Sequence, residues 1–90
     1  MMENLEASTT LSFQAFDVTG SFSVDATDIQ GALPVSTVAS TVATMMHLPE
    51  NVPYALRDDF SSQYLDDSMP IGDAIKPGAR LTITPKTHLG

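Results

Sequence analysis

Cysteine is absent from the 90 residues of this chain. Without it the protein can form neither disulfides nor thiolate metal sites, and it has no cysteine nucleophile, so packing alone must stabilise the fold. Ninety residues make one small domain whose single core uses most of the apolar side chains, which leaves little room for a deep catalytic pocket. We therefore expect one domain that is not an enzyme.

Positive charge is also scarce. Four lysines and arginines face eleven aspartates and glutamates, which gives a formal net charge of -7. This charge repels phosphate backbones and anionic membranes, so we expect neither nucleic acid nor membrane among the partners. It would attract a basic groove on a partner protein, but an acidic surface also favours solubility, and both interpretations stay open.

Long apolar runs are the third absence. No stretch approaches the ~20 apolar residues that cross a bilayer. The segment 1–6 lacks the basic region and the apolar stretch of a secretory signal. We therefore expect a soluble, cytoplasmic protein.

Alternating apolar and polar residues predict a β-hairpin after a polar, flexible N-terminal arm at residues 1–10. The apolar positions are Leu11, Phe13 and Ala15 in the first strand and Phe22, Val24 and Ala26 in the second. Gly20 can adopt the positive φ that a short hairpin loop requires. Phe16 adds an apolar residue on the other face of the first strand, as expected for a strand in the middle of a sheet.

A helix is predicted next, with Ser36 as its N-cap and an end near His47. Its apolar stripe, which would pack across the sheet, is Val38, Val42, Met45 and Met46. The many serines, threonines and valines have a weak helix propensity, so tertiary packing must hold this helix.

Three short strands and a helical turn complete the prediction. Residues 53–57, 63–65 and 81–84 read as strands, residues 71–75 as the helical turn, and Pro85 as the end of the last strand. The first and last strands can lie side by side and parallel at the centre of the sheet, with the helix as the crossover. This is an α+β fold of order ββαββ plus a short helical turn, with a mixed four- to five-stranded sheet, in a domain spanning 11–85 with a tail at 86–90.

This order and spacing resemble the ubiquitin-like β-grasp family over residues 11–90. The resemblance rests on three stretches, 54–56, 64–75 and 76–85, and on a short polar tail that finishes on Gly90. The chain is most similar to the bacterial ubiquitin-like modifiers that travel with their own activating enzyme, conjugating enzyme and isopeptidase. Ubiquitin and the sulfur carriers end in two glycines, whereas Leu89 is the penultimate residue here.

The resemblance implies a protein modifier. A partner activating enzyme would use ATP to adenylate the Gly90 carboxylate, and a conjugating enzyme would help to join it to a target amine as an isopeptide bond. The chain would need no cofactor of its own. Glycine leaves this carbonyl unobstructed. The enzyme channel would read the tail residues Lys86, Thr87, His88 and Leu89.

A second hypothesis is a non-conjugated β-grasp adaptor or subunit that binds a partner protein through its sheet face, with Thr82 and Thr84 as the exposed contacts. A sulfur carrier is disfavoured by Leu89, and self-association stays open. No metal site is expected, because the pairs Asp58-Asp59 and Asp66-Asp67 lack the spacing of a calcium loop and read as solvated turn carboxylates. Two isolated glycines, Gly72 and Gly78, are interpreted as turn residues.

Overall fold

The computed structural model describes residues 10–89, and of His88 and Leu89 only the backbone. The elements are β1 (Thr10–Phe16), β2 (Ser23–Gln30), α1 (Val35–Met45), β3 (Tyr54–Asp58), β4 (Gln63–Tyr64), α2 (Ile71–Ala74), β5 (Ala79–Pro85) and a 3₁₀ helix (Lys86–Leu89). The predicted order of strands and helices is confirmed. The predicted N-terminal arm lies outside the described residues except for Thr10, which begins β1.

The five strands form one mixed sheet in the order β2-β1-β5-β3-β4. The central pair β1 and β5 is parallel, as predicted, and the other three neighbouring pairs are antiparallel. A parallel pair needs a long crossover between its strands, which here includes α1. α1 lies across one face of the sheet and encloses the core.

The core is apolar and lies between α1 and the sheet. Its largest fully buried side chains are Leu56, Ile71, Leu81, Ile83, Val35, Val38 and Val42. Burying each of these aliphatic side chains stabilises the fold by roughly 1.5–3 kcal/mol before the entropy cost. Met45 is 40 % exposed, so its place in the predicted stripe is wrong. The buried stripe starts at Val35 and includes Ala39 and Ala43. Met45 therefore lies at the edge of this stripe.

The β1–β2 hairpin differs from the prediction in two places. Gly20 has the predicted positive φ, 74°, but the loop also includes Phe22, which is 69 % exposed. Phe22 is not a core residue because β2 begins only at Ser23, opposite Phe16. β2 also continues past its predicted end, since a bulge inserts one extra residue near Asp28, whose φ is 57°.

The start of α1 corrects the predicted N-cap. The helix begins at Val35, and no side chain of the described residues caps it. The Val35 N–H donates to the Met69 carbonyl at 2.9 Å and the Ser36 N–H to the Asp67 carbonyl at 3.0 Å. Backbone carbonyls of the loop before α2 therefore satisfy N–H groups that a serine hydroxyl would otherwise serve. Within the described residues no helix is long and apolar enough to cross a membrane.

Candidate functional site at the C-terminal tail and the open sheet face

The C-terminal tail leaves the sheet where β5 ends. Pro85 is the last paired residue and lies opposite Tyr54. The Lys86 N–H then donates to the Pro53 carbonyl at 2.9 Å, and the Lys86 ammonium forms an ion pair with the Asp67 carboxylate. These two contacts anchor the first tail residue to the body of the domain.

Beyond this anchor the backbone of 86–89 forms a single 3₁₀ turn. Thr87 is exposed. The side chains of His88 and Leu89, and all of Gly90, lie outside the described residues. The roles predicted for Lys86, Thr87, His88, Leu89 and Gly90 therefore stay predictions.

The sheet face opposite α1 carries a row of side chains that crosses all five strands. In register, the row is Ser23, Phe16, Thr82, Arg57 and Tyr64. Tyr64 is 48 % exposed at one end of it. This open sheet face therefore offers aromatic, hydroxyl and cationic groups side by side to a partner.

Asp59 organises the centre of this face. The Thr82 hydroxyl donates to its two carboxylate oxygens at 2.9 and 3.1 Å. Arg57 and Arg80 approach the same carboxylate at 3.4 and 3.5 Å. The interpretation of Asp59 as a solvated turn carboxylate is wrong, since only 21 % of its side chain is exposed. The arginine side chains are 41 % and 59 % exposed, so solvent screening limits each pair to about 1 kcal/mol or less.

The two arginines differ in their further contacts. The Arg80 guanidinium lies 4.0 Å from the centroid of the Phe16 ring, a cation–π contact. Among the described residues the buried Nε of Arg57 has no hydrogen-bond partner. Two of the chain's four basic residues therefore lie on this face, in a protein whose net charge is -7.

The two threonines predicted on this face differ in exposure. Thr82 is partly buried, and its hydroxyl donates to Asp59. Thr84 is 7 % exposed, so its predicted exposure is wrong, although strand alternation places it on the same face. The exposed groups that sequence reasoning missed are Arg57, Arg80 and Tyr64. They come together only through strand register, for which no local motif gives a signal.

The second acidic pair belongs to a turn. The Ser68 N–H and hydroxyl donate to one Asp66 carboxylate oxygen at 2.9 and 2.8 Å. These hydrogen bonds favour the charged form and hold the pKa of the Asp66 carboxyl below its ordinary value. In the described part of the chain, no group of three histidine or acidic side chains could hold a metal ion.

Comparison with solved structures identifies the architecture. A ubiquitin from Caldiarchaeum subterraneum superposes with a TM-score of 0.68 and 14 % sequence identity, over 86 % of this chain and 94 % of that one. The chain has the ubiquitin-like β-grasp fold. No family profile and no curated protein matches the sequence, and at this identity the likeness is one of fold.

One contact within this ubiquitin-like fold was not anticipated. Gly78 is a turn residue with a φ of 80°, as predicted, but Gly72 lies inside α2. The Gly72 N–H donates to the Gly31 carbonyl at 2.9 Å. A Cβ on Gly72 would lie 3.1 Å from both the Cα and the carbonyl oxygen of Gly31. The interpretation of Gly72 as a turn residue is wrong, because two backbones meet there.

Proposed function

We propose that this chain is a ubiquitin-like protein modifier whose Gly90 carboxylate is joined to amines of target proteins. On a partner activating enzyme, the carboxylate attacks the α-phosphorus of ATP, which forms an acyl-adenylate and releases pyrophosphate. A cysteine thiolate of that enzyme displaces AMP, and the acyl group passes by thioester exchange to a conjugating enzyme. The target amine then displaces that thiolate, loses its proton and forms the isopeptide bond.

The observation that carries this proposal is the fold shared with an archaeal ubiquitin over 86 % of the chain. The activating enzyme, the conjugating enzyme and a reversing isopeptidase are the partners that the proposal requires, as in the bacterial modifiers that the sequence resembles. ATP is bound by the activating enzyme, so the chain itself needs no cofactor. We assign the reaction to the cytoplasm, where ATP is supplied.

The tail geometry supports the proposal and adds a step to it. Lys86 is anchored through its N–H and its ammonium, so Thr87 to Gly90 form the segment that can reach an enzyme. A 3₁₀ helix rises about 2.0 Å per residue and an extended chain about 3.3 Å. Opening the turn would lengthen four residues from about 8 to about 13 Å. We propose that the activating enzyme opens this turn beyond Lys86 before it adenylates Gly90.

Adenylation tests the proposal directly. The purified protein is incubated with its activating enzyme, ATP and labelled pyrophosphate, and exchange of label into ATP is measured. We expect exchange that depends on the chain, disappears when Gly90 is deleted and persists in the matched tail variant Thr87→Ser. Equal exchange by the Gly90-deleted chain would contradict the role of Gly90.

A second candidate function is an adaptor bound through the open sheet face. The observation that favours it is the pair of partly exposed arginines, Arg57 and Arg80, flanked by Tyr64. An adaptor predicts a stable complex that survives deletion of the tail and is lost on Arg57→Ala. Thr82→Ala would weaken it less, because the hydroxyl already bonds to Asp59.

A further inference from the structure

A groove of about 710 Å³ lies between the turn that joins β3 to β4 and the loop that joins α2 to β5. Asp58 and Phe60 line it from the first segment, and Asp73, Ile75 and Pro77 from the second. Among the described residues, its lining includes neither Lys86 nor Thr87 of the tail nor Thr82 of the open sheet face. The groove is therefore a further candidate surface.

The side chain of Phe60 forms one side of this groove and is largely exposed to solvent. Its side chain is 87 % exposed, yet the turn that carries it is tightly bonded. The Phe60 N–H donates to the Asp58 carboxylate at 2.8 Å, and the Ser62 N–H donates to the Asp58 carbonyl at 2.7 Å. The aromatic ring is thus presented on a fixed backbone, which lowers the entropy cost of using it as a binding anchor.

The floor of the groove is apolar and its charged groups are mostly acidic. Ile75 and Ala79 are each 6 % exposed and lie beside Pro77 in the lining. Two acidic residues, Asp58 and Asp73, and one basic residue, Lys76, line the groove. Among the described residues no basic group forms an ion pair with either carboxylate. A bound segment would therefore meet an apolar surface edged by unneutralised negative charge.

We propose that this groove binds a peptide segment of a partner protein in which an apolar side chain is flanked by lysine or arginine. The apolar side chain packs between Phe60 and Ile75, and the cations pair with Asp58 and Asp73. The net charge of -7 steers such a basic segment toward the domain. The proposal does not depend on activation of Gly90, since no described tail residue lines the groove.

The test is an NMR titration of the ¹⁵N-labelled full chain with three matched octapeptides at low salt. The first peptide carries leucine between lysines and arginines, the second replaces the basic residues with glutamate, and the third replaces the leucine with serine. We expect the first peptide to shift the amides of Phe60, Ile75 and Ala79 in a saturable way. The other two should leave these amides unshifted at the same concentration.

Variants with matched controls locate the contact. Phe60→Ala should raise the Kd at least about tenfold, as expected for an aromatic anchor. Phe22→Ala removes another exposed phenylalanine, from the hairpin loop, and should leave the Kd unchanged. Asp73→Asn should raise the Kd about two- to fivefold, the range of an exposed ion pair. Asp25→Asn on the edge strand β2, which does not line the groove, should have no effect.

Three results would overturn the proposal. The first is an absence of saturable shifts at the groove with the basic peptide, and the second is an equal response to the glutamate peptide. The third is a set of groove shifts that depends on protein concentration without peptide and disappears in Phe60→Ala, because a second copy of the chain would then be the occupant. Phe60 is exposed, so each variant is expected to fold and the comparison remains interpretable.

Discussion

Some single residues affect stability in ways that the pattern of apolar residues does not predict, because their backbone is strained or crowded. His47 has a φ of 59° just after α1. Its N–H donates to the Thr44 carbonyl at 3.0 Å, and the Leu48 N–H donates to the Ala43 carbonyl at 2.9 Å. This is the Schellman arrangement, in which glycine is the usual residue at the left-handed position. A histidine there carries backbone strain that glycine would not.

His47→Gly is therefore expected to stabilise the protein by about 0.5–1 kcal/mol, measured as the free energy of unfolding in urea. Relief of the left-handed strain outweighs the extra freedom of glycine in the unfolded chain. Ser40→Gly, in the exposed middle of the same helix, is the control and should destabilise by about 0.5–1 kcal/mol. A loss of stability in both variants would show that position 47 is not strained.

Gly72→Ala is expected to destabilise by about 1–3 kcal/mol, because the new Cβ meets backbone atoms of Gly31, which cannot rotate away as a side chain can. Thermal unfolding followed by circular dichroism measures the change. Asp73→Ala, one position further along α2 and exposed, should stay within about 0.5 kcal/mol of the parent. If the two variants unfold at the same temperature, the close approach of α2 to Gly31 is not a constraint.

At the scale of elements, apolar periodicity predicted each strand and helix but not how their ends are satisfied. Strand alternation and the helical spacing of Val38 and Val42 are local signals, because the side chains that they place on one face are the ones buried in the core. The start of α1 depends on the carbonyls of Asp67 and Met69, which are distant from it in sequence. Likewise, Asp59 meets Arg80 and Thr82 only after β5 has paired with β3. Such contacts are non-local, so no spacing within one segment reveals them.

The carboxylate of Asp17 accepts hydrogen bonds from several residues of the hairpin loop between β1 and β2. Burial alone would raise the pKa of Asp17, but hydrogen bonds from the Phe22 N–H and the Thr19 hydroxyl outweigh it and hold the pKa below its ordinary value. A lowered pKa in the folded state means that the carboxylate stabilises the fold above its unfolded pKa, about 3.9. This contribution is lost as the pH falls through the lower folded value.

Asp17→Asn is therefore expected to destabilise the protein near neutral pH, and the difference from the parent should vanish as the pH falls below the folded pKa of Asp17. Urea midpoints measured at a series of pH values from neutral to strongly acidic follow this convergence. Asp25→Asn is the control, because it changes an exposed carboxylate that accepts no hydrogen bond within the described residues, and it should change the urea midpoint little near neutral pH. A constant Asp17→Asn difference across the series would exclude the charge-dependent bonds.

At the scale of the whole molecule, the parallel pairing of β1 with β5 brings the two ends of the domain to the centre of one sheet. The open sheet face and the groove share no lining residue in the described part of the chain. In the proposed modifier role, activating enzyme, target and receptor would each need a surface of their own. The net charge of -7 favours fast association with basic surfaces and predicts that such binding weakens as salt is added.

Peptide mapping of a conjugation reaction tests most directly whether the chain is attached to other proteins through Gly90. The protein, its activating and conjugating enzymes and ATP are incubated with a target, and tryptic peptides are sequenced by mass spectrometry. We predict a branched peptide in which Thr87 to Gly90, released by cleavage after Lys86, are linked to a target amine. Unmodified target peptides, obtained with enzymes shown to be active, would contradict the claim.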